Sequence, residues 1–152
     1  MNLDLRTKNR NNQSDTTPRA DGSVSLASES SDLHLSALRC FQAGNPDRAI
    51  DQLKKAIRID ADNPDYHNDL GVILRSLGHI NEALYSYQSA IRLSPSNAEA
   101  HSNLAAIFRL QGKFDAAVDC CREAVRLSPE AEGGYFNLAL TYQAMGLSIE
   151  AT

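Results

Sequence analysis

From about residue 30 onward, small and apolar residues recur three or four positions apart, in stripes that are separated by glycines. This spacing places the apolar side chains on one face of an α-helix. No segment shows the strict two-residue alternation of a half-buried strand. The stripes predict helices over residues 32–43, 46–59, 64–77, 80–93, 98–111, 114–127 and 132–145, with the frayed start of another helix near residue 148.

The stripes return with a fixed period of 34 residues. A glycine ends the first helix of every pair, where a residue that tolerates the left-handed conformation is favoured. These glycines are Gly44, Gly78, Gly112 and Gly146. Alanines keep the same step in the second helices, at Ala49, Ala83, Ala117 and Ala151 and again at Ala56, Ala90 and Ala124. Asparagines stand at three predicted helix starts, where a side-chain oxygen caps free N–H groups, at Asn45, Asn63 and Asn97.

A 34-residue unit with two helical stripes resembles the tetratricopeptide repeat. The signature of that family has a Leu-Gly pair, a small residue in the second helix, an aromatic residue and a terminal proline. In the central unit these landmarks are Leu70, Gly71, Ala83, Tyr87, Ala90 and Pro95. In the next unit they are Leu104, Ala105, Ala117, Ala124 and Pro129.

The resemblance implies an all-α, right-handed solenoid of helix-turn-helix repeats, each of which buries its apolar stripe against its neighbours. The first repeat is degenerate, because Ser36 and Ala61 stand where the leucine and the proline belong. We divide the chain into a polar tail over 1–29, a degenerate first repeat over 30–63, a second repeat over 64–97, a third over 98–131 and a partial fourth over 132–152. The tail contains no aromatic residue, and we expect it to be disordered.

Composition narrows the classes of partner. The net charge of −4 argues against nucleic acid, which would require a clustered basic face. No apolar run approaches the roughly 20 residues of a membrane-spanning helix, and the first residues lack the apolar core of a secretion signal. Three cysteines do not make the even framework of a secreted disulfide scaffold. We therefore expect an intracellular, cytoplasmic protein that binds a protein or peptide, with no membrane and no nucleic acid involved.

Candidate chemistry is sparse. His67 and His101 lie one period apart, but they occupy the inward bulky position of the repeat, and no further ligands complete a zinc site. Cys121 takes the aromatic position and is expected in the core, whereas Cys120 is expected to be more exposed and open to adventitious oxidation. Three arginines lie in the last turns of second helices, where a positive charge interacts favourably with the helix dipole: Arg58, Arg92 and Arg126. We predict no catalytic site, no cofactor and no metal.

The resemblance places a concave groove along the first helix of each repeat. The residues predicted to line its binding surface are Asn68, Asp69, Arg75, Ser102, Asn103, Arg109, Phe136 and Asn137. Asn103 and Asn137 precede the central leucine of their motifs, and an asparagine amide can both donate to and accept from the backbone of an extended peptide. Such a ladder is similar to the one in the peptide-binding solenoid of O-linked N-acetylglucosamine transferases. Asp69 interrupts it here.

A second well-known groove of the family, the lysine-and-asparagine clamp for the C-terminal carboxylate of chaperones, is not matched. Val72, Ala106 and Leu140 stand where that clamp would place polar side chains. Arg75 and Arg109 could still meet an acidic ligand, although solvated arginines near helix ends are the more conventional interpretation.

Two functional hypotheses remain. The first is a non-enzymatic interaction module, a scaffold or adaptor, that binds an extended peptide or a partner helix in its groove. The alternative is the N-terminal substrate-recruiting arm of a larger enzyme, such as a glycosyltransferase similar to the O-linked N-acetylglucosamine transferases. The last helix has no partner within its repeat, so that its stripe of Leu138, Tyr142 and Met145 is covered on one side only. Self-association through this uncapped end is a further possibility.

Overall fold

The structure is a computed structural model that describes residues 22–150, with side chains described over 26–146. The described residues form seven α-helices and no strand. The helices are α1 Gly22–Gln42, α2 Pro46–Ile59, α3 Pro64–Ser76, α4 Ile80–Leu93, α5 Ala98–Leu110, α6 Phe114–Leu127 and α7 Glu132–Glu150. The predicted all-α repeat fold is confirmed.

The helices pack as successive pairs, α1 with α2, α3 with α4 and α5 with α6. Neighbouring pairs contact each other through α2 and α3, through α4 and α5, and through the packing of α7 on α5 and α6. Each pair therefore buries its apolar stripe against its own partner and the next pair, as a solenoid does. No described helix has the length and apolar character that crossing a membrane requires.

Left-handed glycines close the turn within each complete pair. Gly44, Gly78 and Gly112 have φ angles of 77°, 79° and 70°. After each glycine the next backbone N–H donates to the carbonyl five residues earlier, as His79 does to Leu74 over 2.9 Å. This is the Schellman ending of a helix, and a side chain other than glycine would strain it. The prediction that these three glycines end helices is confirmed.

Gly146 does not follow this pattern. It was expected to end a helix at residue 145, but α7 continues through it to Glu150, and the region near residue 148 belongs to α7 and not to an eighth helix. In the complete pairs the turn is held in place by a second helix that packs back on the first. Among the described residues no second helix packs back on α7, and its backbone hydrogen bonding continues through Gly146.

The first helix also differs from the prediction. α1 begins at Gly22, so that residues 22–29 of the expected disordered tail are helical, whereas residues 1–21 lie outside the described residues. Ser30 gives a physical reason, because it is 1% exposed and accepts a hydrogen bond from the Tyr66 hydroxyl over 3.3 Å. This contact attaches the N-terminal half of α1 to α3.

The helix caps follow the sequence only in part. The Asn63 side chain accepts from the Asp65 N–H over 3.1 Å, and the Asn97 side chain accepts from the Ala100 N–H over 2.9 Å. Asn45 was expected to do the same for α2, but its side chain makes no capping hydrogen bond. α2 instead begins with Pro46, whose fixed φ angle suits a first helical position.

The predicted core placement is right for the cysteines and wrong for the histidines. Cys121 is fully buried and Cys120 is half-buried, as expected. Burial raises the pKa of Cys120 to about 11, and it raises that of Cys121 as well, which disfavours the reactive thiolate. His67 and His101 are only partly buried, which corrects their placement in the core.

Both histidines instead make the same local hydrogen bond. His67 Nε2 donates to the Ala61 carbonyl and His101 Nε2 to the Pro95 carbonyl, each over 3.0 Å. Each bond ties the start of a first helix to the linker that precedes it. The described residues contain no group of three or more histidine, cysteine, aspartate or glutamate side chains that could hold a metal ion.

The packing within the second pair depends on a glycine beneath an aromatic ring. Tyr87 is fully buried, and a Cβ added to Gly71 would lie 2.6 Å from its Cε1 atom. One period later the same two positions hold Ala105 and Cys121, both fully buried. The volume that the first helix gives up as glycine is thus filled by the larger side chain of the second.

We expect Gly71→Ala to destabilise the protein by about 1–3 kcal/mol, because the added methyl group overpacks against Tyr87. Tyr87→Cys alone should cost about 3–5 kcal/mol, since it leaves a cavity. The double variant reproduces the pair found at Ala105 and Cys121, and its loss should be smaller than the sum of the two single losses. Urea unfolding measures all three. Additive losses would show that the two positions are not coupled. Gly133→Ala is the control, because a Cβ there makes only an ordinary contact.

Candidate functional site

The first helices α1, α3, α5 and α7 carry a row of polar side chains that bond from one repeat to the next. Asp69 on α3 pairs with His34 on α1, with Nε2 and Oδ2 2.6 Å apart. Asn103 Nδ2 on α5 donates to Asn68 Oδ1 on α3 over 3.1 Å. Each bond joins two residues that are 35 positions apart. We name this set of bonds the cross-repeat ladder.

The third rung of the cross-repeat ladder lies between α5 and α7. Asn137 Nδ2 donates to Ser102 Oγ over 2.9 Å and to the Ser102 carbonyl oxygen over 3.2 Å. One side of the ladder therefore consists of His34, Asn68 and Ser102, and the other side of Asp69, Asn103 and Asn137. Along each side, successive residues are 34 positions apart in the sequence.

The two sides of the cross-repeat ladder differ in solvent exposure. Asn68 and Ser102 are buried, at 4% and 8% exposed, whereas Asn103 and Asn137 are half-buried. Asn68 also uses both ends of its amide, because its Nδ2 donates to Glu99 Oε1 over 3.1 Å. Asn68 and Ser102, which were predicted to line the groove, are thus buried and accept hydrogen bonds from Asn103 and Asn137 of the next first helix.

The amides of Asn103 and Asn137 are oriented by the ladder. Their Nδ2 groups donate to the preceding first helix, and among the described residues no hydrogen bond reaches their Oδ1 atoms. A fixed amide with an open oxygen is an acceptor for an N–H group. The structure therefore brings together two such acceptors, one repeat apart, on α5 and α7.

In the first rung an aspartate takes the place of the asparagine and pairs with a histidine. His34 also packs against Tyr66, with ring centroids 4.8 Å apart and ring planes tilted by 48°. Both side chains of the His34–Asp69 pair are largely buried, at 20% and 26% exposed. Asp69, predicted as an interruption of the asparagine ladder, thus continues it with different chemistry. Sequence reasoning missed His34, although it lies one period before Asn68 and could have been found from that step.

The arginines of the groove stand at the C-terminal ends of the first helices. Arg75 lies in the last turn of α3 and Arg109 in the last turn of α5, and both are partly buried. Neither joins one of the ion pairs between described residues. The Nε atom of Arg109 is buried and has no hydrogen-bond partner among those residues. Both side chains are therefore available to an anionic group.

The opposite ends of the same helices are acidic. Asp65 lies in the first turn of α3, Glu99 in the first turn of α5 and Glu132 in the first turn of α7, and all three are exposed. Each charge sits where it favours the helix dipole. Ten positions separate Glu99 from Arg109, which corresponds to about 15 Å along a helix. The first helices α3 and α5 consequently carry acidic residues at one end and arginines at the other, which we call the acidic edge and the basic edge.

α7, which is the first helix of the fourth repeat, exposes apolar surface. Phe136 holds the ladder position of Asn68 and Ser102, but it is 64% exposed. Tyr135 and Tyr142 are also exposed on α7. The groove thus ends on an aromatic side chain, and self-association through this end stays a prediction.

A cavity of about 310 Å³ opens between α5, α6 and α7. It is bordered by Glu99 and Ser102 of α5, Ala124 and Ser128 near the end of α6, and Gly133 and Gly134 of α7. Gly134 is needed for packing, because a Cβ there would lie 2.9 Å from Val125 Cγ2. Gly133 meets no such obstacle, since its nearest neighbour would be Ser102 Oγ at 3.5 Å.

Family models place the chain among known repeats. A TPR repeat model matches residues 37–78 and 71–108, and a tetratricopeptide repeat model matches residues 98–130. Together the matches extend over residues 37–130, which is more than half of the chain. The chain belongs to the tetratricopeptide repeat family. No curated protein shows significant similarity to it.

Solved structures show the same fold at low identity. The first TPR domain of human RPAP3 is 21% identical, with a TM-score of 0.77, over 83% of this chain and 99% of that one. The first TPR of Spaghetti (RPAP3), bound to the HSP90 peptide SRMEEVD, is 22% identical, with a TM-score of 0.75, over 79% of this chain and 95% of that one. The Sgt2 TPR domain of Aspergillus fumigatus is 17% identical, with a TM-score of 0.75, over 80% of this chain and 82% of that one.

The cross-repeat ladder can be tested by a double-mutant cycle. Asn103→Ala removes the donor to Asn68 and leaves a buried acceptor unpaired, so that we expect a loss of about 1–3 kcal/mol in the free energy of unfolding. Asn68→Ala should cost at least as much, and the two losses should not add, because both variants remove the same bond. Asp65→Ala, an exposed residue of the same helix as Asn68, is the control and should change stability by less than about 0.5 kcal/mol. Strictly additive losses would contradict the ladder.

Proposed function

We propose that this chain is a non-enzymatic interaction module that binds an extended peptide in the groove of its first helices. The observation that carries the proposal is the pair of oriented Oδ1 acceptors on Asn103 and Asn137. They lie one repeat apart on α5 and α7, and the cross-repeat ladder holds their amides in place. An extended peptide offers backbone N–H groups that such acceptors can bind.

The basic edge adds a preference for the ligand. Arg75 and Arg109 have no carboxylate partner among the described residues, and an acidic side chain of the peptide would supply one. The Spaghetti domain of similar fold binds a peptide with two glutamates and an aspartate. Val72, Ala106 and Leu140 stand where the chaperone clamp of the family would place polar groups, so the proposal is an acidic peptide in general and not a chaperone C-terminus.

The proposal includes an intracellular adaptor or scaffold role. All three cysteines are free, which fits a reducing compartment. The alternative interpretation, a substrate-recruiting arm of an enzyme similar to the O-linked N-acetylglucosamine transferases, would use the same two asparagines. No separate observation favours it, and it stays a prediction.

The asparagine contribution can be measured with peptides selected on an array and then titrated in solution. Asn103→Ala and Asn137→Ala should each weaken binding by about 0.5–1.5 kcal/mol, the net contribution of a typical hydrogen bond. Asn103→Asp keeps an acceptor oxygen while it removes the donor to Asn68, so it separates ligand binding from support by the ladder. Asn81→Ala, an exposed amide on the second helix α4, is the matched control. Unchanged affinity in both alanine variants would move function away from this groove.

Charge reversal at the basic edge should weaken binding through lost electrostatic attraction and not through a lost hydrogen bond to the peptide backbone. We expect Arg75→Glu and Arg109→Glu to lower affinity for acidic peptides, and to do so less at high salt, because exposed charges are screened over about 10 Å at 0.1 M ionic strength. Arg92→Glu is the control, since Arg92 lies exposed in the last turn of a second helix. Titrations at two salt concentrations provide the measurement. An equal loss in the control would indicate a general charge effect and not a site.

A further inference from the structure

Asp69 on α3 offers a further open oxygen beside those of Asn103 and Asn137. Successive members of this set are 34 positions apart in the sequence. Asp69 Oδ2 pairs with His34, whereas among the described residues no hydrogen bond reaches Asp69 Oδ1. The Asp69 side chain is 26% exposed, so a ligand can reach it. We name the Oδ1 atoms of Asp69, Asn103 and Asn137 the acceptor row.

Helix packing sets the spacing of the acceptor row. α5 contacts both α3 and α7. Asn103 and Asn137 bond across these two boundaries over 3.1 Å and 2.9 Å, which requires closely packed helices. Because the acceptors hold equivalent positions on successive first helices, neighbouring acceptors are separated by about the distance between packed helices, roughly 8–10 Å.

This spacing selects one extended conformation of a bound peptide. In a β-strand the N–H groups on one side recur every second residue, about 6.5 Å apart, and a step of four residues covers about 13 Å. In a polyproline II helix three residues complete one turn and advance about 9.3 Å, so that every third N–H faces the same side. The polyproline II step alone falls within the spacing of the acceptor row. Its N–H groups are also free to donate, because this helix has no internal hydrogen bonds.

The first helices carry apolar residues beside the acceptor row. Val72, Ala106 and Leu140 each follow an acceptor residue by three positions, and residues at that separation lie on one face of a helix. Val72 and Leu140 are half-buried, so that part of each side chain stays accessible, whereas Ala106 is 2% exposed. Proline is apolar and has no backbone N–H. It therefore suits the ligand positions between the donors, where its ring can pack on Val72 or Leu140.

We propose that the groove recognises a peptide in the polyproline II conformation, with a residue other than proline at every third position. This rests on the proposed function and defines the conformation of its ligand. Three N–H groups, each three residues apart, donate to the acceptor row, so that the contact extends over about seven residues. Proline at the intervening positions strengthens binding, because it fixes the bound conformation before association.

Three acetylated peptides of equal length test the three-residue period directly. The first repeats Ala-Pro-Pro and has a donor at every third residue, the second repeats Ala-Pro and has one at every second residue, and the third is polyproline without donors. Titrations followed by the side-chain amide resonances of Asn103 and Asn137 compare them. The full chain should bind the first at least about fivefold more tightly than either of the others, since it alone pairs with successive acceptors. Equal affinities, a preference for the second peptide or no binding of any would overturn the proposal.

Peptides selected on the array provide an independent measurement. Replacing one backbone N–H at a time by an ester oxygen should weaken binding about 2- to 10-fold at three positions that are three residues apart, and less than about twofold elsewhere. The ester at one of these positions should cost nothing further in Asn103→Ala, and the ester three residues along should cost nothing further in Asn137→Ala. Coupled positions two or four residues apart would overturn the polyproline II conformation and leave the proposed function standing. Full affinity in both alanine variants would refute the proposed function itself.

The remaining ester-sensitive position tests Asp69. Asp69→Ala should abolish the effect of the ester there and leave the other two positions sensitive. Asp69→Asn should retain all three effects, because it keeps an acceptor oxygen while its amide can donate to His34 as Asn103 does to Asn68. Asn81→Ala, exposed on α4, is the control and should change none of them. An ester effect that survives Asp69→Ala would overturn the place of Asp69 in the acceptor row.

Discussion

The close approach of the two helices within a pair is the constraint on which the rest of the structure depends. In the second pair Gly71 lies directly beneath the Tyr87 ring, where even a methyl group would lie closer than any ordinary contact allows. Small residues repeat at the other helix contacts, as Ala83 and Ala90 show with no exposed surface. Helices approach to about 8 Å only when the side chains between them are small. This spacing brings each first helix into a fixed position against the next.

The cross-repeat ladder is possible only because of that fixed position. Side-chain hydrogen bonds near 3 Å require that α3, α5 and α7 keep the same offset at every boundary, and the constant separation of 35 residues shows that they do. The ladder satisfies buried polar groups that would otherwise cost free energy. The same bonds turn the oxygens of Asn103 and Asn137 away from the preceding helix. Helix packing thus fixes the register of the repeats, and the register in turn orients the candidate acceptors.

The sequence predicted the interior of this solenoid better than its ends. The bounds of α2, α4 and α6 agree with the prediction. Each of these helices follows a turn in which a left-handed glycine ends the preceding helix. The start of α1 was missed, since it depends on the contact between Ser30 and Tyr66, which lie 36 residues apart and carry no local signal. The end of α7 was missed because Gly146 has the residue type of a turn, whereas within the described residues no second helix packs back on α7 to stabilise such a turn.

The candidate site shows the same limit in another form. A 34-residue comparison identifies which positions recur, but the ladder bonds join positions 35 apart, so a residue and its partner fall in different columns of the repeat. Asn68 was therefore grouped with Asn103 as a groove residue, although one supports the other from below. His34 was left out for the same reason, since it bonds to Asp69 of the next repeat.

The charges of the groove arise first from helix stability. Acidic residues in the first turns and arginines in the last turns each favour the dipole of their own helix. Because α3 and α5 lie side by side, with Asp65 and Glu99 at one end and Arg75 and Arg109 at the other, the same preference gives the groove two edges of opposite sign. At α7 the first-turn charge comes from Glu132, one position earlier, because Gly133 takes the position of Asp65 and Glu99.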